Sequence, residues 1–467
     1  MIDTEALKKI VIDKATAGLL SSSFAGDGDV NEIIAKLPPV SNKRKKLLEQ
    51  SFAFENKYDI PTHWKWVRLG EISSYGDTPT KVMPSDMKDG SWILELEDIE
   101  SGGRLLSKMR YPARKPVGEK TVFYQGQILY SKLRPYLKKV LVADEDGIST
   151  PELISFDVFA GINTKYISYC LINSYADRII NQRSYGVKMP RVDAGFMANL
   201  PIPMPPLDEQ ERIVNIVEQA FEEIDTIVTL QRQYESDLSV LKSKIIDASI
   251  RGKLTEQLPE DGDAETLYAQ IQEEKAKLIK EGKIKKEKPL PEIDADEIPY
   301  EIPKNWKWVR IGKVINEVVV PQRDKPPFSG NIPWCRIEDR EGIFLKGTKS
   351  GQYVSEETVE KMNLRVFPVG TVLSACSGAS IGTVLITTVE CCTNQTFNGL
   401  VCNKGLYNWF LFWYLKAEIN KLRKMGSGSA MAYVSQDKIR NMLIPLPPYE
   451  EQKRITMTID EMMQIME

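Results

Sequence analysis

The side chains that most often perform catalysis are few in this sequence. His63 is the single histidine, and the six cysteines form no C-x-x-C pair, so no zinc cluster is predicted. Residues 325–328 read K-P-P-F, which lacks the Asp, Asn or Ser that amino-methyltransferases place before P-P-[FYW]. These features predict neither a metal site nor a methyltransferase site.

A second segment comes close to a nucleotide-binding motif. Residues 342–350 read G-I-F-L-K-G-T-K-S, which is one residue out of the phosphate loop G-x-x-x-x-G-K-[ST], so its lysine would be misplaced against the phosphates. An enzyme, either a methyltransferase or a nucleotide hydrolase, is therefore the weaker interpretation. No catalytic, cofactor-binding or metal-binding residue is predicted.

The bulk composition limits the class of protein. A chain of 467 residues exceeds what one core usually organises, so two or more domains are expected. No long apolar run or signal-like amino terminus is present, which predicts a cytoplasmic protein without membrane spans. The net charge of -3 and the pI near 5.8 mean that any DNA contact needs local basic residues or help from partners.

Internal repeats organise the sequence. Residues 60–71 read I-P-T-H-W-K-W-V-R-L-G-E, and residues 302–313 read I-P-K-N-W-K-W-V-R-I-G-K. Residues 199–213 read N-L-P-I-P-M-P-P-L-D-E-Q-E-R-I, and residues 441–455 read N-M-L-I-P-L-P-P-Y-E-E-Q-K-R-I. Both pairs are displaced by 242 positions, so the segments between the landmarks have equal length. His63 has Asn305 as its counterpart, which favours a surface turn over a catalytic base.

A third echo has a different order. Residues 13–20 and 27–30 match residues 247–254 and 261–264, a displacement of 234. The N-terminal segment thus matches the segment after a central helix, and the C-terminal segment matches the start of that helix. This order predicts a circularly permuted pseudo-twofold repeat.

The central helix is predicted to begin after a run of prolines, with Asp208 and Glu211 as a capping box. Its apolar residues alternate at spacings of four and three, which is typical of a coiled-coil seam roughly 54 Å long. Gln231 is the one amide in the seam and a candidate for fixing register. A long core helix is the alternative. The seam comprises Ile213, Val217, Ala220, Ile224, Ile227, Gln231, Tyr234, Leu238, Leu241, Ile245 and Ala248.

The two termini repeat parts of this seam. Ile455 and Ile459 begin it again near the C-terminus, and Leu7 and Val11 resume it near the N-terminus. We expect the terminal helices to dock beside the central helix and to close the chain into a ring. The basic run 43–46 lies in the stretch that matches the lysine-rich linker after residue 283. Such runs are usually solvated surface, with a contact to DNA or a partner as the alternative.

The segments between the landmarks contain short β-rich runs, Gly, Pro, Asn and Asp turns, and a later helical stretch, at residues 165–182 and 407–424. Each is predicted to be an α+β domain. Because they share length but little sequence, a common scaffold carries two different surfaces. Base edges are read by side chains, whereas cations and hydroxyls also hold phosphates. The DNA-binding candidates of the first segment are Lys132, Arg134, Tyr136, Lys138, Lys139, Arg183, Lys188 and Arg191. Those of the second are Ser374, Ser377, Ser380, Asn394, Gln395, Ser427, Ser429 and Lys438.

These landmarks, together with L-R-P-Y-L-K-K and S-G-A-S-I-G-T, identify a family likeness. The sequence resembles the specificity subunit of type I restriction-modification systems over nearly its whole length. The resemblance implies two target recognition domains that each read half of an asymmetric bipartite DNA site, with helices that set the unread spacer. It also implies two modification subunits, which bring S-adenosylmethionine, and restriction subunits, which bring ATP and magnesium chemistry.

The expected organisation has five segments. A helical region and linker (1–59) precedes the first target recognition domain (60–206). A central helical region and linker (207–301) comes next, and the second target recognition domain (302–448) leads to the C-terminal helix start (449–467). A coiled-coil scaffold without nucleic acid is the remaining alternative, but it leaves two dissimilar β-rich domains without a role.

Overall fold

A computed structural model describes residues 1–24, 26–54, 57–186, 188–321, 324–426 and 432–466. The chain forms two compact units, Met1–Gln233 and Tyr234–Glu467. Each unit combines helices with small β-sheets, so the predicted α+β fold with two β-rich domains and long helices is confirmed. Among the described helices, none is long and apolar enough to cross a membrane.

The first unit alternates short helices and short strands before its long terminal helix. Its helices are α1 (Thr4–Thr16), α2 (Val30–Ala35), α3 (Asn42–Leu48), α4 (Leu69–Ile72), α5 (Thr164–Ile172), α6 (Ser174–Arg183), α7 (Ala194–Ala198) and the first part of α8 (Leu207–Ile250). Its strands are β1 (Lys65–Arg68), β2 (Lys81–Val82), β3 (Trp92–Leu94), β4 (Met109–Arg110), β5 (Lys120–Phe123), β6 (Ile128–Ser131), β7 (Val140–Val142), β8 (Gly147–Ser149), β9 (Leu153–Phe156) and β10 (Pro201–Met204).

The second unit begins with the rest of α8. Its further helices are α9 (Ala264–Lys280), α10 (Ile311–Val314), α11 (Glu356–Met362), α12 (Asn408–Ala417), α13 (Ile419–Gly426), α14 (Gln436–Asn441) and α15 (Tyr449–Ile465). Its strands are β11 (Lys307–Arg310), β12 (Ile315–Val319), β13 (Ile332–Cys335), β14 (Phe344–Leu345), β15 (Tyr353–Val354), β16 (Val372–Ala375), β17 (Val384–Thr387), β18 (Cys392–Thr393), β19 (Phe397–Cys402) and β20 (Leu443–Leu446).

Each unit has its own base and its own central sheet, and these two parts have the same strand order in both units. The remaining strands differ. The base is a two-stranded antiparallel ribbon, β1-β10 in the first unit and β11-β20 in the second. The order β7-β6-β9 recurs as β17-β16-β19, and the register of Ile128 with Phe156 recurs as that of Val372 with Leu400. The remaining strands follow the order β2-β5-β8-β3-β4 in the first unit. In the second, β12 and β14 flank the central sheet, and β15-β13-β18 form a separate sheet. The scaffold is therefore common, and the added strands are specific to each unit.

The circular permutation is visible in the helices. Gly18, which follows α1, lies against Pro61 and Trp64, and Gly252, which follows the end of α8, lies against their counterparts Pro303 and Trp306. Helix α1 in the first unit thus corresponds to the end of α8 in the second, and α15 repeats the start of α8. In the first unit Lys8 Nζ lies 2.6 Å from Asp225 Oδ1, and the Gln231 side chain donates to the Ile2 carbonyl at 3.3 Å. Because residue numbers rise along one helix as they fall along the other, α1 and the first part of α8 are antiparallel.

The apolar seam is buried unevenly along α8. Ile213, Val217 and Ile224 are buried in the first unit, whereas Tyr234 is 64% exposed and Leu241 is 48% exposed. The remaining seam positions Ala220, Ile227, Gln231, Leu238, Ile245 and Ala248 are half-buried. In the second unit Ile455 and Ile459 of α15 share a core with the end of α8. The helix ends thus belong to domain cores, and its middle does not.

The start of α8 differs from the prediction in one detail. The helix begins at Leu207, so Asp208 already lies in the first turn and cannot be the N-cap residue of a capping box. The equivalent helix α15 has Pro448 as N-cap and no side-chain cap. Pro206 and Pro448 accept the first backbone hydrogen bond of each helix, from Gln210 and Gln452, and proline has no side chain that could cap the helix.

Three motif residues at each helix start anchor the helix to its unit, and we call them the frame: Glu209, Gln210 and Arg212, with counterparts Glu451, Gln452 and Arg454. Glu209 is buried and accepts from Trp64 Nε1 at 3.0 Å, with His63 Nε2 at 2.8 Å from the same oxygen. Glu451 is likewise buried and accepts from Trp306 Nε1 at 2.8 Å. Both carboxylates are hydrogen-bonded, as buried charges require.

The other two frame residues bind backbone and a carboxylate. Gln210 accepts from the Asn163 amide at 2.8 Å, and Gln452 accepts from the Tyr407 amide at 2.7 Å. Arg212 donates to both carboxylate oxygens of Asp27, at 2.7 and 2.6 Å, and Arg454 binds both oxygens of its counterpart Asp261. The D-G-D echo of the sequence therefore supplies the partners of the two arginines.

These ion pairs predict an acid-sensitive contribution to stability. The hydrogen bonds from Arg212 and Arg454 hold the pKa of Asp27 and Asp261 below the ordinary value of 3.8. A depressed folded-state pKa stabilises the fold fully above the unfolded value and ceases to do so as pH falls through the folded value. We expect Asp27→Asn to lower the free energy of unfolding at pH 7 by about 1–2 kcal/mol and to make its decline below pH 4 shallower.

Urea denaturation at several pH values measures both effects. Asp59→Asn, which removes the same charge from an exposed residue, is the control and should change neither quantity. Equal behaviour of the two variants would contradict the structural role of the arginine pair.

Candidate nucleic-acid interface

The L-R-P-Y-L-K-K motif forms a tight turn between β6 and β7. Residues Pro135–Leu137 make one turn of 3-10 helix, and Arg134 and Lys138 on either side both have positive φ, 50° and 48°. Left-handed backbone costs a non-glycine residue roughly 1 kcal/mol or more, so the surrounding structure must hold this turn. The turn exposes Tyr136, whereas Pro135 is buried and Leu137 is half-buried.

A later hairpin holds the turn in place. Tyr185 and Arg191 exchange backbone hydrogen bonds of 2.9 Å, and the Arg134 amide donates to the Pro190 carbonyl at 2.7 Å. The Val192 amide donates to the Lys132 carbonyl at 3.3 Å. The structure therefore brings together residues 132–139 and 185–191 (residue 187 is outside the described part), and we call them the first tip.

The first tip presents cationic, aromatic and apolar side chains. Tyr136 is 49% exposed, and Arg134 and Lys188 are exposed without a side-chain partner among the described residues. Tyr185 is 60% exposed and Met189 52%. A guanidinium and two phenol rings on one surface suit both base edges and phosphates.

Other predicted residues hold the tip rather than extend from it. Arg191 Nη2 lies 2.9 Å and Lys132 Nζ 3.9 Å from oxygens of Glu152. Lys138 Nζ lies 3.1 Å from Asp177 Oδ2, and Lys139 donates to the Leu96 carbonyl at 2.6 Å. Burial and the charge of Arg134 lower the pKa of Lys139. Arg183 is exposed at the last residue of α6.

The second unit repeats this backbone arrangement. The Gly378 amide donates to the Ala432 carbonyl at 3.0 Å, and the Val434 amide donates to the Cys376 carbonyl at 2.8 Å. Ser377 pairs with Tyr433 as Leu133 pairs with Arg191. Residues 376–380 and 432–434 therefore form the second tip.

The second tip presents hydroxyls and an aromatic ring instead of cations. Ser377 and Ser380 are half-buried, and the Ser380 hydroxyl donates to the Ser377 carbonyl at 2.7 Å. Gln395 is exposed, and it lies beside the tip because its backbone carbonyl accepts a hydrogen bond from the Cys376 thiol at 3.3 Å. Tyr433 is 40% exposed. No lysine or arginine lies within the described residues of this tip.

The remaining candidates of the second unit lie in several places. The Asn394 side chain accepts from the Thr396 hydroxyl at 2.5 Å, next to Gln395. Lys438 in α14 donates to the Met425 carbonyl at 2.6 Å. Ser374 is buried in β16, so its hydroxyl is not offered to a ligand. Ser427 and Ser429 lie outside the described residues.

Sequence reasoning missed three exposed side chains of the tips: Tyr185, Met189 and Tyr433. In each tip the pairing of the turn with the later segment is not visible in the residue pattern. For Tyr433 the repeat offered a signal, because this residue lies 242 positions after Arg191, one of the predicted DNA-binding candidates. Among the described residues no group of three or more His, Cys, Asp or Glu side chains could hold a metal ion.

Comparison with known proteins gives one consistent result. Residues 116–235 and 303–467 match the family described as the type I restriction modification DNA specificity domain. The chain is 24% identical to the type I restriction enzyme EcoAI specificity subunit of Escherichia coli, over 98% of this chain and 88% of that protein.

Two solved structures share the fold. One chain belongs to a structure that concerns complex assembly and conformational transition of the type I R-M system. It matches with a TM-score of 0.64 and 21% identity, over 88% of this chain and 92% of that chain. The HsdS subunit from Thermoanaerobacter tengcongensis matches with a TM-score of 0.52 and 21% identity, over 89% and 92%.

The left-handed turn of the first tip generates a stability prediction. Arg134→Gly should leave the free energy of unfolding unchanged or raise it by up to about 1 kcal/mol, because glycine adopts positive φ without steric cost. Arg134→Val should lower it by about 1–2 kcal/mol, since a β-branched side chain is strongly disfavoured there. Chemical denaturation of both variants measures the difference, and equal stabilities would argue against a strained turn.

Proposed function

The chain belongs to the type I restriction modification DNA specificity family, and from this premise we propose how it reads DNA. Each β-rich domain, residues 60–206 and 302–448, reads one half of an asymmetric bipartite site in double-stranded DNA. The helical segments 1–59, 207–301 and 449–467 set the unread spacer and dock two modification subunits. The repeated backbone of the two tips, with different side chains on each, is the observation that supports this proposal most directly.

The chemistry of the tips favours two unlike half-sites. The first tip offers Arg134 with Tyr136 and Tyr185, and a guanidinium can bind two acceptors on the major-groove edge of guanine. The second tip offers serine hydroxyls and Tyr433, which suit shorter hydrogen bonds and apolar contact. One scaffold with two unlike surfaces is what an asymmetric target requires.

The subunit itself performs no chemistry in this proposal. The modification subunits bring S-adenosylmethionine and methylate adenine, and the restriction subunits bring ATP, magnesium and cleavage, with the complex acting on DNA in the cytoplasm. Two similar docking surfaces are consistent with the repeat, because two identical partners need equivalent sites. The equivalent helix starts at Leu207 and Tyr449 are one pair of repeated elements that supports this part of the proposal.

Methylation mapping tests the function. We expect the chain, co-expressed with its modification subunits, to direct methylation to a bipartite motif with a constant spacer, which single-molecule sequencing of genomic DNA detects. Exchanging residues 72–198 with residues 314–440 should invert the order of the half-sites. Absence of any motif would contradict the specificity role, and an unchanged motif after the exchange would contradict interchangeable domains.

The first tip predicts which substitutions weaken recognition. Arg134→Ala and Tyr136→Ala should each lower affinity of the assembled complex for its own site by about 10–100-fold, the effect of losing one good base contact. Lys36→Ala, which removes an exposed cation at the end of α2, is the control. Fluorescence anisotropy with a duplex that carries the mapped motif measures the affinities. Equal affinities of tip and control variants would exclude the tip from the interface.

A further inference from the structure

A lysine-rich strap crosses the base of the second unit. It comprises residues 285–290, and Leu290 of the strap packs against Gly312 of α10. The strap lines a cavity of about 280 Å³ together with residues of α9, α10 and α14. Its basic members are Lys285, Lys286 and Lys288, and Lys313 lies on the same cavity.

These four amines are not used by the fold. Lys285, Lys286 and Lys288 are exposed, Lys313 is half-buried, and none has a salt bridge or side-chain hydrogen bond among the described residues. The one carboxylate of the strap, Glu287, is taken by Arg440 Nη2 at 3.1 Å. The whole chain has 65 acidic and 62 basic residues, so an unpaired group of four cations is a local excess of positive charge.

The floor of the cavity is also positive. Lys275 of α9 donates to the Gly312 and Ile315 carbonyls at 2.8 and 2.6 Å. Burial, with the charges of Arg440 and Lys313 beside it, lowers the pKa of Lys275 to about 8, although Glu287 opposes the shift. A bound anion would offset this crowding of positive charge.

The first unit has the same surface made from a different element. The counterpart of the strap, 242 positions earlier, is helix α3, whose Leu48 packs against Gly70. Lys43, Lys45 and Lys46 of α3 are exposed, and only Lys43 has a polar contact among the described residues, a 3.3 Å hydrogen bond to Thr78. The buried guanidinium of Arg44 donates to the Gly70 and Ser73 carbonyls, the counterparts of the two that Lys275 binds. Positive charge at this place is therefore repeated even though secondary structure is not.

We propose that the strap lysines of the second unit and the α3 lysines of the first unit contact the phosphodiester backbone of DNA outside the bases read by the tips. This rests on the proposed function, because it assumes that the assembled chain holds duplex DNA. Surface lysines are usually only solvated. Repetition at one position in two units of an acidic chain, with no carboxylate partner for most of them among the described residues, favours a phosphate ligand over solvent. Phosphate contacts position a protein on DNA without selecting sequence.

The test compares neutralised variants in the complex with modification subunits. The strap variant is Lys285→Gln/Lys286→Gln/Lys288→Gln, and the α3 variant is Lys43→Gln/Lys45→Gln/Lys46→Gln. A control of equal charge, Lys304→Gln/Lys361→Gln/Lys404→Gln, changes exposed lysines elsewhere in the second unit. Affinities for a duplex with the mapped motif and for a scrambled duplex are measured over a range of salt concentrations, after circular dichroism shows that each variant is folded.

We expect each of the two variants to lose roughly 10-fold affinity for both duplexes and to reduce the salt slope by about 2–3, while the ratio between the duplexes stays constant. The control should change neither. Strap and α3 variants that behave like the control overturn this inference but leave the proposed function intact, whereas a wild-type complex that does not distinguish the duplexes counts against the proposed function itself. Calorimetry with inorganic phosphate tests whether the ligand is a free anion instead of DNA. If the strap variant loses phosphate binding but keeps its DNA affinity, the strap is a small-anion site and the assignment to DNA is overturned.

Discussion

The buried carboxylates of Glu209 and Glu451 are the constraint on which each unit depends. A carboxylate out of water is costly unless hydrogen bonds satisfy it, and here an indole N–H from the W-K-W-V-R motif does so in both units. That bond ties the start of a long helix to the strand that opens the β-rich domain. In the first unit the neighbouring glutamine and arginine then hold the helix against the start of α5 and against the D-G-D loop. The W-K-W-V-R motif and the motif at the helix start are distant in sequence, but together they form one hydrogen-bonded joint between helix and domain.

Such a joint leaves the outer part of each domain free to vary. β1 and β10 form the ribbon next to the frame, while the tip is carried by the turn after β6 and by a hairpin that comes after α6. The backbone hydrogen bonds of this turn recur in the second unit between residues 376–378 and 432–434, whereas the side chains differ. The side chains of the tip can therefore change by substitution, because the hydrogen bonds of the frame are made to other parts of the domain.

The repeats made much of the fold predictable. The equal spacing of the motifs, however, concealed an insertion of two residues that is offset by a later deletion. The flanking motifs are 242 positions apart, yet Val372 of β16 lies 244 positions after Ile128 of β6. Two residues are gained before the central sheet and lost again before α14, which no count between landmarks reveals. The seam of α8 was also only partly informative, because heptad spacing does not say how far a partner helix extends. The site residues were harder still: charge marked Lys132, Lys138 and Lys139 alike, and only three-dimensional contacts show that Glu152, Asp177 and the Leu96 carbonyl occupy them.

Arg44 and Lys275 show what the two units hold in common when sequence similarity fails. Each satisfies the carbonyls at the end of a four-residue helix, α4 or α10, but one donor comes from α3 and the other from α9. A short helix leaves its last carbonyls without partners, so a buried end needs a donor from elsewhere. The requirement belongs to the backbone of the domain base, and any cation that reaches it serves. In the first unit the donor is Arg44, one residue of the basic run on α3, whereas in the second unit the donor is Lys275 of α9. Lys286, the counterpart of Arg44, is consequently left unpaired among the described residues. The strap therefore has three exposed lysines, as α3 does, although the two segments do not match residue by residue.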